Sequence, residues 1–242
     1  MKLDILAFGV HPDDVELSCA GTLMMELAHG KQVGIIDLTR GELGTRGTPH
    51  TRKEEAAEAA RIMGISIREN LGMRDGFFLN DEAHQLQVIQ KIRQYRPEIV
   101  LCNAVADRHP DHGRSAALVR DSCFLAGLRK IHTEWEGVPQ DAWRPKYVFH
   151  YIQDRYLNPD FVVDISPVFE RKVAAIRAYG TQFYNPELDE PQTYISTPGY
   201  LESVIYRHKM FGKMIGVEYA EGYVTEKMLG VRSFDSFIQH AT

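Results

Sequence analysis

Residues 3–14 read LDILAFGVHPDD, an apolar run that passes directly into a histidine, a proline and two aspartates. The segment Leu3–Val10 is typical of a buried strand, because its apolar residues are nearly continuous. An amphipathic stretch, Val15–His29, follows and stops before Gly30, which predicts a helix. Val33–Thr39 predicts a second buried strand. The chain therefore begins with a strand–helix–strand unit.

The same alternation continues through the first half of the chain. Segment 40–50 contains three glycines and a proline and reads as a loop. Thr51-Arg52-Lys53-Glu54 has the form of a capping box for a helix that ends at Met63. Later predicted elements are a helix over 85–95, a strand over 99–102 and a helix over 111–126. This rhythm predicts an α/β fold: a Rossmann-like, mostly parallel sheet with helices on both faces, forming a three-layer sandwich.

The second half is less regular. Strands are predicted over 146–151 and 161–165. Ser166-Pro167 and Thr197-Pro198 each predict a helix start, with the two helices ending near Tyr179 and Ile215. Between them, segment 182–196 is rich in proline, tyrosine and acidic residues and predicts a long ordered loop. Since no repeat or linker is visible, we predict one domain over residues 1–242.

Composition excludes several classes of protein. The 242 residues are 44% hydrophobic and 25% charged, unlike a disordered, collagen-like or coiled-coil chain. The formal net charge is −5 without a Lys/Arg run, so no nucleic-acid partner is expected. No apolar run reaches about 18 residues and no signal-peptide pattern is present, so no membrane partner is expected. Three scattered cysteines, Cys19, Cys102 and Cys123, indicate buried reduced thiols in a cytoplasmic protein.

Two polar motifs follow predicted strands. His11-Pro12-Asp13-Asp14 comes directly after the first strand, and Arg108-His109-Pro110-Asp111-His112 comes soon after the strand over 99–102. Ligands in parallel sheets bind at the carboxyl ends of the strands, which share one edge. We therefore expect both motifs to contribute three imidazoles and three carboxylates to one crevice.

These side chains suit a catalytic metal site, which takes three nitrogen or oxygen ligands and leaves a position for water. His11 and Asp14 can face one point if a helix begins between them, and His112 can complete the set. Asp13 then lies beside the metal and can accept a proton from water. The remaining groups are a second titrating imidazole and a carboxylate that can hold its tautomer, His109 and Asp111.

Other interpretations stay open at this point. Asp13 or Asp14 can instead cap the following helix. Two histidines and one carboxylate also bind iron in non-haem Fe(II) oxygenases, which usually have jelly-roll folds. Metal-dependent phosphoesterases often use two metals and more carboxylates. A nucleotide-binding module needs a glycine-rich loop where this chain has His-Pro-Asp-Asp.

Both motifs resemble those of the LmbE-like (PIG-L) zinc-dependent N-deacetylases. Further similarities are Thr39-Arg40-Gly41-Glu42, the helix start over 52–56, and Asp75-Gly76-Phe77. Among subfamilies, the chain is most similar to the N-acetylglucosaminyl-malate deacetylases of bacillithiol biosynthesis. That similarity includes Tyr194-Ile195-Ser196-Thr197 and segment 222–230.

The resemblance implies an enzyme that hydrolyses the acetamide of an N-acetylglucosamine conjugate. The expected substrate is N-acetylglucosaminyl-malate, and a chitobiose-like or other small glycoconjugate is the alternative. One Zn²⁺, or another divalent metal, would be bound per chain by His11, Asp14 and His112. Asp13 would be the general base. His109 would stabilise the oxyanion or protonate the leaving amine, with Asp111 holding it.

Substrate contacts and assembly are also implied. Arg52 and Arg108 are expected to contact substrate, because a guanidinium fork suits the carboxylates of a malate aglycone. Tyr194, in the long loop, is expected to reach the reacting group through its hydroxyl. The resemblance further implies a cytoplasmic homo-oligomer, with a hexamer as the family's arrangement.

Overall fold

The computed structural model describes residues 1–187 and 189–237, and one seven-stranded sheet organises them. The strands, in chain order, are β1 Ile5–Gly9, β2 Val33–Thr39, β3 Ile67–Met73, β4 Ile99–Cys102, a small hairpin of β5 Glu134–Trp135 and β6 Val138–Pro139, β7 Tyr147–Tyr151, β8 Phe161–Asp164 and β9 Ala220–Val224. The helices are α1 Asp14–Ser18, α2 Ala20–Ala28, α3 Pro49–Met63, α4 Glu82–Tyr95, α5 Pro110–Leu125, α6 Phe169–Arg177 and α7 Pro198–Ile215.

The large sheet has the strand order β3-β2-β1-β4-β7-β9-β8. Its first five strands are parallel, whereas β9 is antiparallel to both of its neighbours. The predicted mostly parallel α/β sheet is therefore confirmed. Strands β2 and β3 lie on one side of β1, whereas β4 and the later strands of the sheet lie on the other side. The direction in which strands are added therefore reverses between β1 and β4. Ligands bind at such switch points in open α/β sheets.

Helices cover both faces of the sheet, as predicted. Successive side chains of a strand point to opposite faces. Ile5 and Ala7 of β1 join a buried cluster with α1, α2, α3, α6 and α7. Leu6 and Phe8 of the same strand join a second buried cluster with α4 and α5. The sheet thus forms the middle layer of the three-layer sandwich.

Several predicted helix boundaries are wrong. Helix α4 begins at Glu82, three residues before the predicted start, and α6 begins at Phe169, because Ser166–Val168 form a 3₁₀ turn. The stretch predicted as one helix over 15–29 is divided into α1 and α2 by Cys19, whose backbone φ of −136° is not helical.

The sequence pattern predicts a capping box at 51–54, but the capping box is formed by Thr48 and Thr51. Helix α3 therefore begins at Pro49. Proline suits this first helical position, since its missing N–H has no partner to lose there.

Strands β3 and β9 are absent from the sequence-based prediction. Strand β3 lies at the sheet edge and reads IRENLGM, in which three polar residues in a row, Arg68, Glu69 and Asn70, interrupt the apolar pattern. Strand β9 reads AEGYV and includes Glu221, a residue atypical of a buried strand. The burial of Glu221 depends on polar partners from distant parts of the chain, which are described below.

Three further expectations concern the chain as a whole. Cys19, Cys102 and Cys123 are buried free thiols, as predicted. Within residues 1–187 and 189–237, no helix is both long and apolar enough to cross a membrane. Both halves of the chain contribute strands to one sheet. The single domain over residues 1–242 stays a prediction, since residues 188 and 238–242 lie outside the described part.

A buried ion pair joins β9 to the helical layer. Glu221 lies 2.6 Å from the Lys172 ammonium of α6, and both side chains are fully buried. The Glu221 carboxylate also accepts the backbone N–H groups of Gly21 and Thr22, at 2.9 and 2.7 Å. One carboxylate therefore connects β9, α6 and the first turn of α2.

Lys172→Met is expected to lower the free energy of unfolding by about 3 kcal/mol, because it leaves the Glu221 charge buried without its counter-ion. Chemical denaturation measures this loss, and Lys213→Met on the exposed side of α7 is the matched control. Adding Glu221→Gln to Lys172→Met should recover part of the loss. If Lys172→Met is as stable as the control, the buried charge pair has no such role.

Candidate active site

Both polar motifs lie at the switch point of the sheet. The first follows β1 and the second lies between β4 and the first turn of α5, and β1 and β4 are paired neighbours. The motifs line a cavity of about 380 Å³, a size typical of small-molecule sites. The cavity lining includes every residue predicted for metal binding or catalysis: His11, Asp13, Asp14, His109, Asp111 and His112.

Asp14 is held by the ends of both strands. Its Oδ2 accepts the backbone N–H of His11 at 2.9 Å and Asn103 Nδ2 at 3.0 Å. Its Oδ1 accepts Gln153 Nε2 at 3.0 Å and lies 3.1 Å from His112 Nε2. Burial acts to raise the pKa of Asp14, but the charge and hydrogen bond of His112 hold it well below its usual range. The carboxylate is therefore ionised and fixed in place.

A carboxylate behind each of two histidines determines which ring nitrogen faces Asp14. His112 Nδ1 lies 2.5 Å from Asp107 Oδ2, which turns Nε2 toward Asp14. His11 Nε2 lies 3.0 Å from Asp75 Oδ1, which leaves Nδ1 3.8 Å from Asp14 Oδ2. Such carboxylate–histidine pairs orient metal ligands and increase their basicity.

The chemistry and spacing of these donors fit a divalent cation. Zinc–ligand bonds of 2.0–2.2 Å place tetrahedral ligand atoms roughly 3.3–3.6 Å apart. The distances from Asp14 oxygens to His112 Nε2 and His11 Nδ1, 3.1 and 3.8 Å, lie on either side of that range. Burial lowers the pKa of His112, but Asp14 and Asp107 outweigh it and raise the pKa to about 9. The surrounding carboxylates thus favour positive charge at this point.

A second set of donors includes His109. One ring nitrogen each from His11, His109 and His112 lie within 4.8 Å of one another. The His109 ring centroid is 4.7 Å from that of His11 and 5.3 Å from that of His112. Asp14 contacts both of the other histidines, so the predicted set of His11, Asp14 and His112 stays our proposal. His109 is the alternative third donor.

Asp13 lies beside this cluster in an unusual backbone conformation. Its φ of 132° falls where L residues are rarely found, at a cost of about 1–3 kcal/mol. Although Asp13 occupies the N-cap position of α1, its side chain makes no capping hydrogen bond, and its Oδ2 instead accepts Arg52 Nη2 at 3.1 Å. Burial raises the pKa of Asp13 to about 7, against the opposing effect of Arg52. The capping interpretation is therefore wrong for Asp13.

The predicted contact between the Asp111 carboxylate and His109 is also wrong. Asp111 Oδ1 pairs with Arg114 at 2.7 Å, and its Oδ2 accepts the Gly76 N–H at 2.9 Å and lies 3.7 Å from His11 Nε2. Because Asp111 is in the first turn of α5, its backbone N–H instead donates to His109 Nδ1, at 3.3 Å. A neutral His109 with Nδ1 as acceptor carries its proton on Nε2.

The three predicted substrate contacts are in two different environments. Arg108 is 46% exposed, lines the cavity, and lies 4.1 Å from the ring centre of Tyr194, which is 55% exposed. Arg52 is buried, and its two Nη atoms donate to Asp13 and Gln182. Arg108 and Tyr194 therefore stay candidates for substrate contact. Both Nη atoms of Arg52 already donate within the protein, which favours a role in holding Asp13.

Residues 6–123 match the sequence profile of the PIG-L family, described as GlcNAc-PI de-N-acetylase, and this range contains both motifs. The chain also superposes on the crystal structure of the conserved protein TT1542 from Thermus thermophilus with a TM-score of 0.84. The two sequences are 38% identical, over 95% of this chain and 98% of that one. This chain belongs to the PIG-L family.

Two curated relatives carry different substrates in their names. Diacetylchitobiose deacetylase from Thermococcus kodakarensis is 29% identical, over 90% of this chain and 81% of the relative. The probable N-acetyl-α-D-glucosaminyl L-malate deacetylase 2 of Bacillus subtilis is 27% identical, over 75% of this chain and 84% of the relative. The predicted LmbE-like (PIG-L) resemblance is thus confirmed, and the malate enzymes are among the relatives.

Six residues of this PIG-L protein's site were not singled out from the sequence as site residues: Asp75, Asn103, Asp107, Gln153, Gln182 and Arg207. Asn103 directly follows β4, so the rule that ligands bind at the carboxyl ends of strands could have identified it as a site residue. Asp75 follows β3, the strand that the apolar pattern did not predict. Arg207 of α7 donates to the backbone oxygen of Gln153, and no local pattern indicates this contact.

Proposed function

We propose that this PIG-L protein is a metal-dependent amidohydrolase that removes the acetyl group from an N-acetylglucosamine conjugate. One observation carries the proposal: Asp13, a buried carboxylate that caps no helix, lies beside the cluster of His11, Asp14 and His112. A cation site alone suits many reactions, whereas hydrolysis also needs a base for the attacking water. The names of both curated relatives support an acetamido sugar as the substrate.

His11, Asp14 and His112 would hold the metal, zinc by the family resemblance. When bound, a divalent metal lowers the pKa of water and polarises the acetamide carbonyl. Asp13 accepts a proton from the attacking water, and Arg52 keeps that carboxylate in place. His109 donates a hydrogen bond from Nε2 to the carbonyl oxygen as charge develops. As the C–N bond breaks, the proton that Asp13 took from water passes to the amine nitrogen, either directly or by way of His109. Water adds its oxygen to the released acetate and supplies the proton that the amine gains.

For the substrate, we propose N-acetylglucosaminyl-malate, as in bacillithiol biosynthesis. Arg108 supports this choice: its Nε pairs with Asp154 at 3.3 Å, and its guanidinium is half-exposed at the cavity where an acidic aglycone would lie. Diacetylchitobiose is the second candidate, because the Thermococcus relative carries it in its name.

An amine-release assay on N-acetylglucosamine, its malate glycoside and N,N′-diacetylchitobiose tests the substrate. We expect the malate glycoside to have the highest kcat/KM. A clear preference for diacetylchitobiose would replace the malate proposal. Absence of amine release from all three, with metal bound, would contradict the deacetylase proposal.

Arg108→Ala is expected to raise KM for the malate glycoside about tenfold, the approximate worth of one charged hydrogen bond. KM for plain N-acetylglucosamine should change less than about twofold, since that substrate lacks the carboxylates. Steady-state kinetics on both substrates measure this difference. Arg155→Ala, which removes an exposed arginine of the same region, is the control. Equal losses on both substrates would indicate a structural role for Arg108.

The other enzyme classes make different demands. Non-haem Fe(II) oxygenases usually have jelly-roll folds, whereas this sheet is mostly parallel and covered by helices. Phosphoesterases often bind two metals, so metal analysis showing about one ion per chain would favour the amidohydrolase. The hexamer and the cytoplasmic location stay predictions from the family resemblance, and light scattering of the purified protein tests the first.

A further inference from the structure

A chain of hydrogen bonds connects Asp13 to the long loop over 182–196. Gln182 is only 5% exposed and lines the cavity. Its Oε1 accepts Arg52 Nη1 at 2.7 Å, while the second Nη atom of Arg52 donates to Asp13 Oδ2 at 3.1 Å. Its Nε2 donates to the backbone oxygen of Arg46 at 2.8 Å. Gln182 therefore touches the partner of Asp13 on one side and a neighbouring loop on the other.

Gln182 is itself held rigidly. The adjacent Thr181 donates its backbone N–H and its hydroxyl to the Glu55 carboxylate, at 2.7 and 2.9 Å. Glu55 and Arg52 are three residues apart and so share one face of α3. The helix that carries Arg52 thus also fixes the segment that carries Gln182.

A second residue of the long loop, Glu190, is attached to the same network. The Arg46 guanidinium pairs with Glu190 at 3.2 Å, and Arg46 is almost fully buried. Since the backbone oxygen of Arg46 also receives the Gln182 amide, two points of the loop converge on one residue. The loop and the Asp13–Arg52 pair are therefore parts of one hydrogen-bonded unit.

The orientation of Arg52 depends on few contacts. Its Nε is buried and has no hydrogen-bond partner within the described part of the chain. The guanidinium is held instead through its two Nη atoms: Nη1 donates to Gln182, and Nη2 donates to Asp13 and to the backbone oxygen of Pro12. Without the Gln182 amide, Nη1 would lose this acceptor, and the guanidinium would be held against Asp13 by its Nη2 bonds alone.

We propose that Gln182 is a positioning residue for Asp13, acting through Arg52 and making the alignment of Asp13 depend on the loop over 182–196. The proposal rests on the proposed role of Asp13 as the base. A displacement of about 1 Å in a catalytic group can cost about 10²-fold in rate, so a single misplaced guanidinium has a measurable effect. Gln182 itself needs no contact with substrate.

A double-mutant cycle with the metal-loaded enzyme tests this coupling. Gln182→Met keeps the length of the side chain without its polar atoms, and should lower kcat about tenfold to a hundredfold while KM changes less than about threefold. In an Arg52→Met background, the same substitution should have less than about twofold further effect, because the intermediary is already missing. Gln192→Met, on an exposed glutamine of the same loop, is the control.

A purely structural role for Gln182 would lower kcat by the same factor in both backgrounds, and that result would overturn the proposal. So would wild-type kcat in Gln182→Met. If Arg52→Met does not fold, Arg52→Lys provides the background, because lysine keeps the charge but cannot make the two-pronged contact. Metal content is measured for every variant and should stay near wild type.

The same experiment separates this proposal from the proposed function. If Asp13→Asn is inactive but Gln182→Met is not impaired, the positioning role is wrong and the catalytic base stands. If Asp13→Asn keeps wild-type activity, the base assignment is wrong, and with it the reason for positioning Asp13.

Discussion

Asp13→Asn is expected to lower kcat by about 10²–10⁴, the usual contribution of general acid–base catalysis, while the bound metal stays near the wild-type level. The amide keeps the size of the carboxylate but cannot take a proton from water. Asparagine also tolerates positive φ better than most residues, so the backbone conformation at φ 132° should survive. The measurement is kcat beside metal content in the same preparation.

Asp14→Asn is the matched comparison, since it changes the adjacent carboxylate by the same single atom. Here metal binding should weaken first, because the Asp14 carboxylate lies next to both His11 and His112. If Asp13→Asn is found without metal while Asp14→Asn is loaded and inactive, the two roles must be exchanged.

His112→Ala is expected to lose most of the bound metal and to lower kcat/KM at least about 10³-fold, because two ligands alone do not hold a catalytic divalent ion. His112 belongs both to the set with His11 and Asp14 and to the set with His11 and His109, so its loss should disrupt either of these two. Metal analysis after dialysis gives the occupancy. Retention of wild-type metal in His112→Ala would show that His112 is not a ligand.

His109→Ala decides which set binds the metal. With His11, Asp14 and His112 as ligands, His109→Ala should keep its metal and lose activity, as a proton donor would. With three histidines as ligands, His109→Ala should lose metal and Asp14→Asn should retain it. His84→Ala, at a half-buried histidine of α4 that pairs with Asp81 and does not line the cavity, controls for the general effect of removing an imidazole.

Local patterns were sufficient for most of the sheet. Strands β2 and β4 have the residues that their apolar runs predict, and the helix starts at Pro110 and Pro198 lie within one residue of expectation. The runs are short, buried and bounded by turn residues, so each element is specified by its own neighbours. Strand β9 was missed because Glu221 is stabilised there by partners far away in the chain: Lys172, 49 residues before it, and the backbone N–H groups of Gly21 and Thr22.

The order and spacing of two motifs, together with the rule for parallel sheets, were enough to place His11, Asp13, Asp14, His109 and His112 in one cavity. What each group does there depends on contacts between residues far apart in sequence. Asp75 reaches His11 across 64 residues and Gln153 reaches Asp14 across 139, and these bonds orient an imidazole and hold a carboxylate. In the folded chain, the Asp111 carboxylate also lies against His11 and Arg114. The two Nη atoms of Arg52 donate to Asp13 and Gln182. Periodicity and turn residues report a residue's neighbours along the chain, whereas the direction of a hydrogen bond is fixed by packing between elements, which no local pattern records.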